Sequence, residues 1–378
     1  MRAIWDIFCH VVDNFGDIGV TWRLAQQLAS EYDFDVHLWV SDMSAFRRIC
    51  PQAETASSLP LTQQGVKVYH WTDDNIPVRA ADVVIEAFAC QLPKPYIALM
   101  AQKSPAPLWL NLEYLSAEDW VEGCHGLPSP QPDKLEKYFF FPGFTAQTGG
   151  LIREHNLICR RQQFQQSPHA INTFLHQLGV SPAPDAMLIS LFAYENKALA
   201  SWLDSLASAS RPTHVLVPEG RILADVANWL EVPALATGDH FSRGALDIQV
   251  LPFISQSDYD RLLWSCDFNA VRGEDSFVRA QWAGRPFIWH IYQQENDTHL
   301  EKLDAFLHRY TQGLPAEVAE PLRALWQAWN SEGNMGENWH TLLAQWPHLI
   351  SHAEEWCGKQ QKVTNLAKSL AQFYQIRV

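Results

Sequence analysis

The sequence predicts an α/β protein made of two halves, each with its own parallel sheet. Two observations support this prediction. Short apolar runs alternate with segments of helical periodicity, and this alternation stops near residue 155 and begins again near residue 187. A chain of 378 residues is also longer than one hydrophobic core usually supports. We therefore expect two domains, each large enough to bury its own core.

The first half contains apolar runs whose length is typical of strands. Strands are predicted at 4–12, 36–40, 66–71, 83–88 and 108–112. Between the first two, Val20, Leu24 and Leu28 recur at helical spacing. Strands joined through helices in this way form a parallel sheet with right-handed crossovers.

The second half repeats this order with different residues. Strands are predicted at 187–192, 214–217, 248–251, 268–271 and 287–290, with helices at 199–206, 224–230, 259–264 and 277–282. The segment between the two series is helical at first and then rich in proline. We predict an N-terminal domain at 1–155, a linker region at 156–184, a C-terminal domain at 185–355, and a last helix at 356–378 that returns to the N-terminal domain.

Composition excludes several classes of protein. A formal net charge of -14 disfavours nucleic-acid binding, because lysine and arginine drive that binding. Asp6 and His10 interrupt the first apolar run, so we expect no signal peptide, and no segment approaches the roughly 18 apolar residues of a membrane span. The seven cysteines are scattered and form no C-x-x-C pair. These features predict reduced thiols in a cytoplasmic protein with no membrane partner.

The stretch "HVVDNFGDIGVTWRLAQQL" places Asp13, Asn14 and Asp17 in the loop between the first strand and a helix expected to begin near Val20. Ligands of an open parallel sheet bind beyond the carboxyl ends of the strands. Two carboxylates four residues apart repel each other, which raises one pKa and prepares a base. The alternative is structural, with Asp13 as a turn residue and Asp17 as a helix N-cap.

A second polar cluster follows the strand predicted at 268–271. Arg272, Glu274, Asp275 and Ser276 stand where a helix begins. The free N–H groups of that helix suit a diphosphate, and the planar guanidinium of Arg272 can hold a phosphate oxygen. In the alternative interpretation, Glu274 and Asp275 only compensate the helix dipole.

A third group is mainly aromatic and also follows strands of the second half. It consists of Phe192, Tyr194, Phe253, Gln256 and Tyr292. A planar base could stack among these rings, while the Gln256 amide could bind the edge of the base. Each ring taken singly is also compatible with ordinary packing. Their shared position at the carboxyl side of the predicted sheet favours a binding site.

Other catalytic motifs are missing from the sequence. It contains no H-E-x-x-H, P-loop or G-x-S-x-G pattern. Asp258 and Asp260 match the D-x-D pattern with which some sugar transferases hold a metal. They stand in a helical stretch, where residues two apart point to different faces. We therefore expect no metal site.

Four long motifs together resemble one known family. They are "DNFGDIGVTWRLA", "WLNLEYLSAEDW", "FPGFTAQTGGLIRE" and "RGEDSFVRAQWAGRPFIWHIYQQ", in this order, and the likeness extends from the first strand to at least His299. The chain resembles the protein-arginine rhamnosyltransferases that modify translation elongation factor P. The resemblance implies the GT-B fold, in which two Rossmann-like domains with parallel sheets face each other across a cleft. The N-terminal domain would then be on the acceptor side, and the C-terminal domain would bind the nucleotide sugar.

The resemblance also implies an activity and a set of site residues. The activity is an inverting, metal-independent transfer of L-rhamnose from dTDP-β-L-rhamnose to an arginine of elongation factor P, without a cofactor. The residues that the resemblance implies are important for activity are Asp13, Asp17 and Glu274. Our own hypothesis makes Asp17 the base, with Asp13 and Glu274 positioning the guanidinium. The implied donor-binding residues are Phe192, Tyr194, Phe253, Gln256, Arg272, Asp275, Ser276 and Tyr292. Two alternatives remain open, namely a GT-B enzyme with a small-molecule or lipid acceptor and a non-catalytic nucleotide-sugar-binding protein.

Overall fold

The computed structural model describes residues 2–13, 15–53, 60–72, 75–294 and 297–377, so Asn14 of the first motif lies outside the described residues. The chain forms two compact units. The first is Met1–His155 together with Gln360–Val378, and the second is Asn156–Lys359. Among the described residues, none of the helices has both the length and the apolar character needed to cross a membrane.

Each unit contains one sheet. The strands of the first are β1 (Ile4–Cys9), β2 (Asp35–Val40), β3 (Leu61–Gln63), β4 (Val66–His70), β5 (Val83–Ala87), β6 (Leu108–Leu112), β7 (Pro128–Pro130) and β8 (Glu136–Phe140). Those of the second are β9 (Met187–Leu191), β10 (Thr213–Pro218), β11 (His240–Arg243), β12 (Leu246–Leu251), β13 (Phe268–Arg272) and β14 (Phe287–His290).

The helices lie between and after these strands. Up to the end of the first series they are α1 (Gly16–Tyr32), α2 (Met43–Ile49), α3 (Lys94–Gln102) and α4 (Trp120–Cys124). The next are α5 (Leu157–Gln165), α6 (Pro168–Gln177), α7 (Leu199–Ala207), α8 (Leu223–Leu230), α9 (Gln256–Ser265) and α10 (Asp275–Ala283). The last are α11 (Thr298–Tyr310), α12 (Ala316–Asn330), α13 (Met335–Leu343), α14 (Trp346–Gln361) and α15 (Leu366–Arg377).

The first sheet has the strand order β3-β4-β2-β1-β5-β6-β8-β7. Its pairings are parallel except at the two edges, where β3 and β7 run antiparallel to their neighbours. The central strand β1 pairs with β2 on one side and with β5 on the other. The connections after β1 and β5 therefore lead away in opposite directions. This leaves a crevice at the carboxyl ends of these two strands, where open α/β sheets bind their ligands.

The second sheet has the order β11-β12-β10-β9-β13-β14. Here β9 is the central strand, with β10 on one side and β13 on the other, both parallel to it. The crevice of this sheet thus lies beyond the ends of β9 and β13. Leu191 and Ala270 are register partners, so the loops that begin at Phe192 and after Arg272 are neighbours.

The ten strands predicted from the sequence are all present, but two boundaries differ at the first loop. β1 ends at Cys9 rather than at residue 12, and α1 begins at Gly16 rather than near Val20. The strand stops early because the Val11 and Val12 N–H groups donate to the side chains of Ser41 and Asp17 instead of a neighbouring strand. The loop between strand and helix is consequently short.

The predicted linker region and the final helix each belong to one of the two units. Residues 156–184, interpreted from the sequence as a linker region, contain α5 and α6, which pack against α9 in the second unit. The final helix α15 belongs to the first unit, where it packs against α1. Its first residue, Leu366, donates its N–H to the Leu151 carbonyl at 3.0 Å.

Candidate active site

The carboxylate of Asp17 is held by the loop that precedes it. Asp17 is the second residue of α1, and its Oδ2 accepts the N–H groups of Val12 at 2.8 Å and Asp13 at 3.0 Å. The N-cap position belongs to Phe15, which makes no side-chain cap. The alternative prediction, that Asp17 is the N-cap of the helix, is therefore wrong. Its side chain accepts N–H groups of the loop before α1 rather than those of the first helical turn.

Asp17 is buried, with 2% of its surface exposed. Burial raises the pKa of its carboxyl group, and the charge of Asp13 raises this pKa further. The two backbone N–H groups and the Tyr114 hydroxyl donate to the carboxylate and act in the opposite direction. The sequence predicted a raised pKa from repulsion between the two acids, whereas the larger cause is burial. A carboxylate with a raised pKa is a better proton acceptor than an ordinary aspartate.

Gly16 allows Asp13 to lie across the start of α1. A Cβ atom at Gly16 would stand 2.6 Å from Oδ2 of Asp13, closer than real Cβ contacts come. The Gly16 N–H also donates to the Asp13 carbonyl at 2.7 Å. The two acids of the first motif are thus kept on one short, tightly hydrogen-bonded turn at the carboxyl end of β1.

Two residues that sequence analysis did not select lie beside this turn. Tyr114 follows β6, and its ring stacks on that of Phe88 with 4.5 Å between centroids and 20° between planes. Phe88 follows β5 and is 9% exposed, whereas Tyr114 is 37% exposed. The motif "WLNLEYLSAEDW" contains Tyr114, but only the structure shows that this side chain stacks on Phe88.

In the second unit, the turn from β13 into α10 is fixed by Ser276. Its hydroxyl accepts the Arg272 N–H at 3.1 Å and donates to the Arg272 carbonyl. Gly273 has a φ of +59°, a conformation that glycine adopts without strain. Glu274 takes the N-cap position without a side-chain cap, and Asp275 is the first residue of the helix. Ser276 therefore shapes the turn from which the N-terminal N–H groups of α10 emerge.

The guanidinium of Arg272 lies between two aromatic rings. Its Cζ is 4.7 Å from the ring centre of Phe192 and 4.7 Å from that of Tyr194. The residue is 5% exposed, and its Nη1 has no hydrogen-bond partner in the described part of the chain. A buried cationic N–H without a partner is costly and is the kind of group that an anionic ligand satisfies.

The other predicted donor-binding residues stand around Arg272. Tyr194 makes edge contacts with Tyr292, at 5.6 Å between centroids, and Tyr292 is 41% exposed. Gln256, the first residue of α9, donates from Nε2 to Oδ2 of Asp275 at 3.2 Å. Phe253 is half-buried in the loop after β12. The predicted residues thus lie at or just beyond the carboxyl ends of β9, β12, β13 and β14.

His290 is a further buried group beside Arg272. It ends β14, is the register partner of Arg272 and contacts the Tyr194 ring at 5.3 Å. Burial lowers the pKa of His290 to about 4, and the positive charge of Arg272 adds to the effect. The imidazole is therefore neutral at neutral pH and adds no charge beside the guanidinium. Sequence analysis did not select it, since only strand pairing brings it next to Arg272.

The D-x-D pair does not form one site. Asp260 accepts two hydrogen bonds from the buried guanidinium of Arg279, at 2.8 and 2.6 Å, whereas Asp258 pairs with Arg261. The two carboxylates thus have separate partners, as expected from their positions on a helix. Within the described ranges, no group of three or more His, Cys, Asp or Glu residues is arranged to hold a metal ion.

Each of the two α/β units has a mostly parallel sheet, with a carboxylate turn at the carboxyl ends of the strands in the first and an arginine beside a helix N-terminus in the second. These are features of the GT-B fold. MurG of Acinetobacter baumannii has the same fold, with a TM-score of 0.50 and 13% identity over 100% of this chain and 99% of that chain. The family model described as Elongation-Factor P (EF-P) rhamnosyltransferase EarP matches residues 5–375. The chain therefore belongs to the EarP family.

Individual relatives agree with this assignment. The chain is 58% identical over 374 residues to a protein-arginine rhamnosyltransferase of Pseudomonas putida, with 99% of both chains covered. A solved structure that describes EarP-mediated arginine glycosylation of translation elongation factor EF-P is 43% identical, with a TM-score of 0.73 and 100% of both chains covered.

Proposed function

We propose that this protein transfers L-rhamnose from dTDP-β-L-rhamnose to an arginine side chain of translation elongation factor P. Membership of the EarP family and the activities of the relatives named above support the sugar and the acceptor. The structural observation that carries the proposal is the Arg272 guanidinium, which is buried between two aromatic rings and has a free Nη1 among the described residues. That arrangement suits the diphosphate of a nucleotide sugar.

The second unit would hold the donor. Arg272 and the N-terminal N–H groups of α10 bind the diphosphate. The guanidinium supplies a full positive charge, and the N–H groups supply partial positive charges. Phe192, Tyr194, Phe253 and Tyr292 offer rings to the thymine base, while Gln256 and Asp275 offer polar atoms to the nucleoside. As the bond between the sugar C1 and the diphosphate oxygen breaks, its electron pair leaves with dTDP. Arg272 stabilises this added charge.

The first unit would activate the acceptor. An arginine side chain is protonated at neutral pH and is then a poor nucleophile. In our assignment Asp17 accepts a proton from the guanidinium as one of its nitrogens forms the bond to C1, and Asp13 and Glu274 orient the group. Because the nitrogen attacks opposite the leaving diphosphate, a single displacement inverts the configuration at C1. The raised pKa of Asp17 supports its assignment as the base.

The test is the intact mass of purified elongation factor P from the same organism after incubation with this protein and dTDP-β-L-rhamnose. A mass gain of one deoxyhexose, mapped to an arginine, supports both donor and acceptor. The anomeric configuration of the product distinguishes inversion from retention, and an unchanged rate in EDTA supports a metal-independent reaction. Donor hydrolysis without a change in the mass of elongation factor P would point to a different acceptor.

A further inference from the structure

Arg221 is a further arginine at the carboxyl ends of the strands that carry the donor-binding residues. It lies in the turn between β10 and α8. β10 pairs in parallel with β9, and Tyr194 lies in the loop after β9. The turn and the loop therefore leave the second sheet side by side. Sequence analysis did not select Arg221, since only the strand order brings its turn next to Tyr194.

The Arg221 guanidinium is held by Glu195, the residue that follows Tyr194 in the sequence. Its Nε donates to Oε1 of Glu195 at 2.9 Å, and its Nη2 lies 2.6 Å from Oε2. A guanidinium that binds both oxygens of one carboxylate through two of its nitrogens has a defined plane. The ion pair consequently joins the turn after β10 to the loop after β9.

The Tyr194 ring is in contact with two guanidinium groups. Its centre lies 5.4 Å from Cζ of Arg221 and 4.7 Å from Cζ of Arg272, and both distances are in the range of a cation–π contact. The same ring makes T-shaped contacts with His290 and Tyr292, at 5.3 and 5.6 Å between centroids. Tyr194 is 6% exposed, so these neighbours leave its ring little room to move.

Glu195 balances the charge of Arg221. Burial acts to raise the pKa of Glu195, but the contact with Arg221 and the charge of Arg272 outweigh it and lower this pKa. The carboxylate is therefore ionised at neutral pH, and the pair of Arg221 and Glu195 is neutral as a whole. The pair adds no net charge to the donor-binding residues. A role in orienting Tyr194 fits it better than a role in attracting an anion.

We infer that Arg221, held by Glu195, is a positioning residue that fixes the Tyr194 ring for the base of the nucleotide sugar. The inference rests on the proposed function, which assigns this ring to the thymine. A ring that is already fixed loses less conformational freedom when a base stacks on it, so the base binds more tightly. The side chains of Arg221 and Glu195 are 45% and 50% exposed, so substitutions there leave the core intact.

The experiment compares the Kd for dTDP of Arg221→Met with that of the wild type by isothermal titration calorimetry. We expect a rise of roughly fivefold, the size of one cation–π contact at a partly exposed site. The donor KM for transfer to elongation factor P should also rise, while kcat at saturating donor stays that of the wild type. Arg243→Met is the matched control and should bind dTDP normally. Its guanidinium Cζ lies 4.2 Å from the Trp229 ring centre, and Arg243 pairs with Leu246 at the opposite end of the same sheet.

A double-mutant cycle shows whether Arg221 acts through Tyr194. In the Tyr194→Leu background, Arg221→Met should cause no further rise in the Kd for dTDP, because the ring that it positions is gone. An equal rise in that background, or a wild-type Kd in the Arg221→Met single variant, would overturn the positioning role while the proposed function stands. A wild-type protein that binds no dTDP would instead refute the proposed donor site and the proposed function with it. Glu195→Gln removes the ionised partner of Arg221 and should raise the Kd in the same direction as Arg221→Met.

Discussion

The guanidinium of Arg272 lies 4.7 Å from the ring centre of Phe192, at the point where β13 turns into α10. The pair combines a buried positive charge with an aromatic face, and Nη1 of Arg272 has no partner among the residues the structure describes. A planar guanidinium can stack on a ring and bind a phosphate through its edge at the same time. This is the contact on which our assignment of the donor site depends.

Arg272→Lys should therefore weaken donor binding although it keeps the charge. Lysine has neither the planar fork nor the stacking surface, so we expect the Kd for dTDP to rise roughly tenfold or more. Isothermal titration calorimetry measures this directly. Arg261→Lys, which changes an exposed arginine paired with Asp258 on α9, is the matched control and should bind dTDP normally. Equal affinities for the two variants would contradict the role of Arg272.

The pH dependence of the reaction rate should follow the ionisation of the Asp17 carboxyl group. Burial raises the pKa of Asp17, so the enzyme loses its base as the pH falls through a value above the usual aspartate range. Asp13→Asn removes the neighbouring negative charge that contributes to this shift. The acidic limb of its residual activity should then move to lower pH. If the acidic limb of the pH profile lies at the same pH in the wild type and in Asp13→Asn, another group is titrating.

The buried ion pair between α9 and α10 should be important for stability. The side chains of Arg279 and Asp260 are 2% and 4% exposed. Arg279→Met leaves a buried carboxylate without its partner, which costs about 3–5 kcal/mol. Chemical denaturation followed by circular dichroism should show a clear loss, largely recovered by adding Asp260→Leu. Lys197→Met breaks an exposed pair with Glu332 and should change little. Similar losses for the two single variants would contradict this account.

Gly150, in the motif "FPGFTAQTGGLIRE", is fixed by a close approach to the chain before α15. Its φ is +74°, and a Cβ there would lie 1.8 Å from the backbone oxygen of Thr364. Gly150→Ala should destabilise the protein by more than the 1–2 kcal/mol or so of the left-handed backbone alone. The loss should appear as a lower unfolding midpoint. Gly123→Ala, which meets no atom within 4 Å on α4, should be neutral or slightly stabilising.

The sequence predicts the central strands well because they are short, apolar and separated by amphipathic helices. It misses edge strands such as β7 and β11, since Pro128–Pro130 and His240–Arg243 are short and mostly exposed. Their pairing is fixed by the neighbouring strand and not by a hydrophobic pattern of their own. Edge strands therefore need the tertiary structure to be recognised.

Some residues of the candidate site can be placed from the sequence alone, whereas others need the folded structure. Asp13, Asp17 and Arg272 follow predicted strands, so their position at the carboxyl ends of the strands can be deduced from the chain order alone. The stacking of Tyr114 on Phe88 and the pairing of His290 with Arg272 join residues on, or just after, adjacent strands. No periodicity indicates such contacts. The main cause of the Asp17 pKa shift, its burial, is likewise a property of the folded chain.

In our proposal Asp17 is the base for transfer to an arginine and has no part in donor binding. Asp17→Asn keeps the size of the side chain but cannot accept the proton, so single-turnover transfer of rhamnose to elongation factor P should fall by at least roughly 100-fold. The Kd for dTDP, measured on the same preparation, should stay that of the wild type. A near-normal transfer rate in Asp17→Asn would contradict the claim.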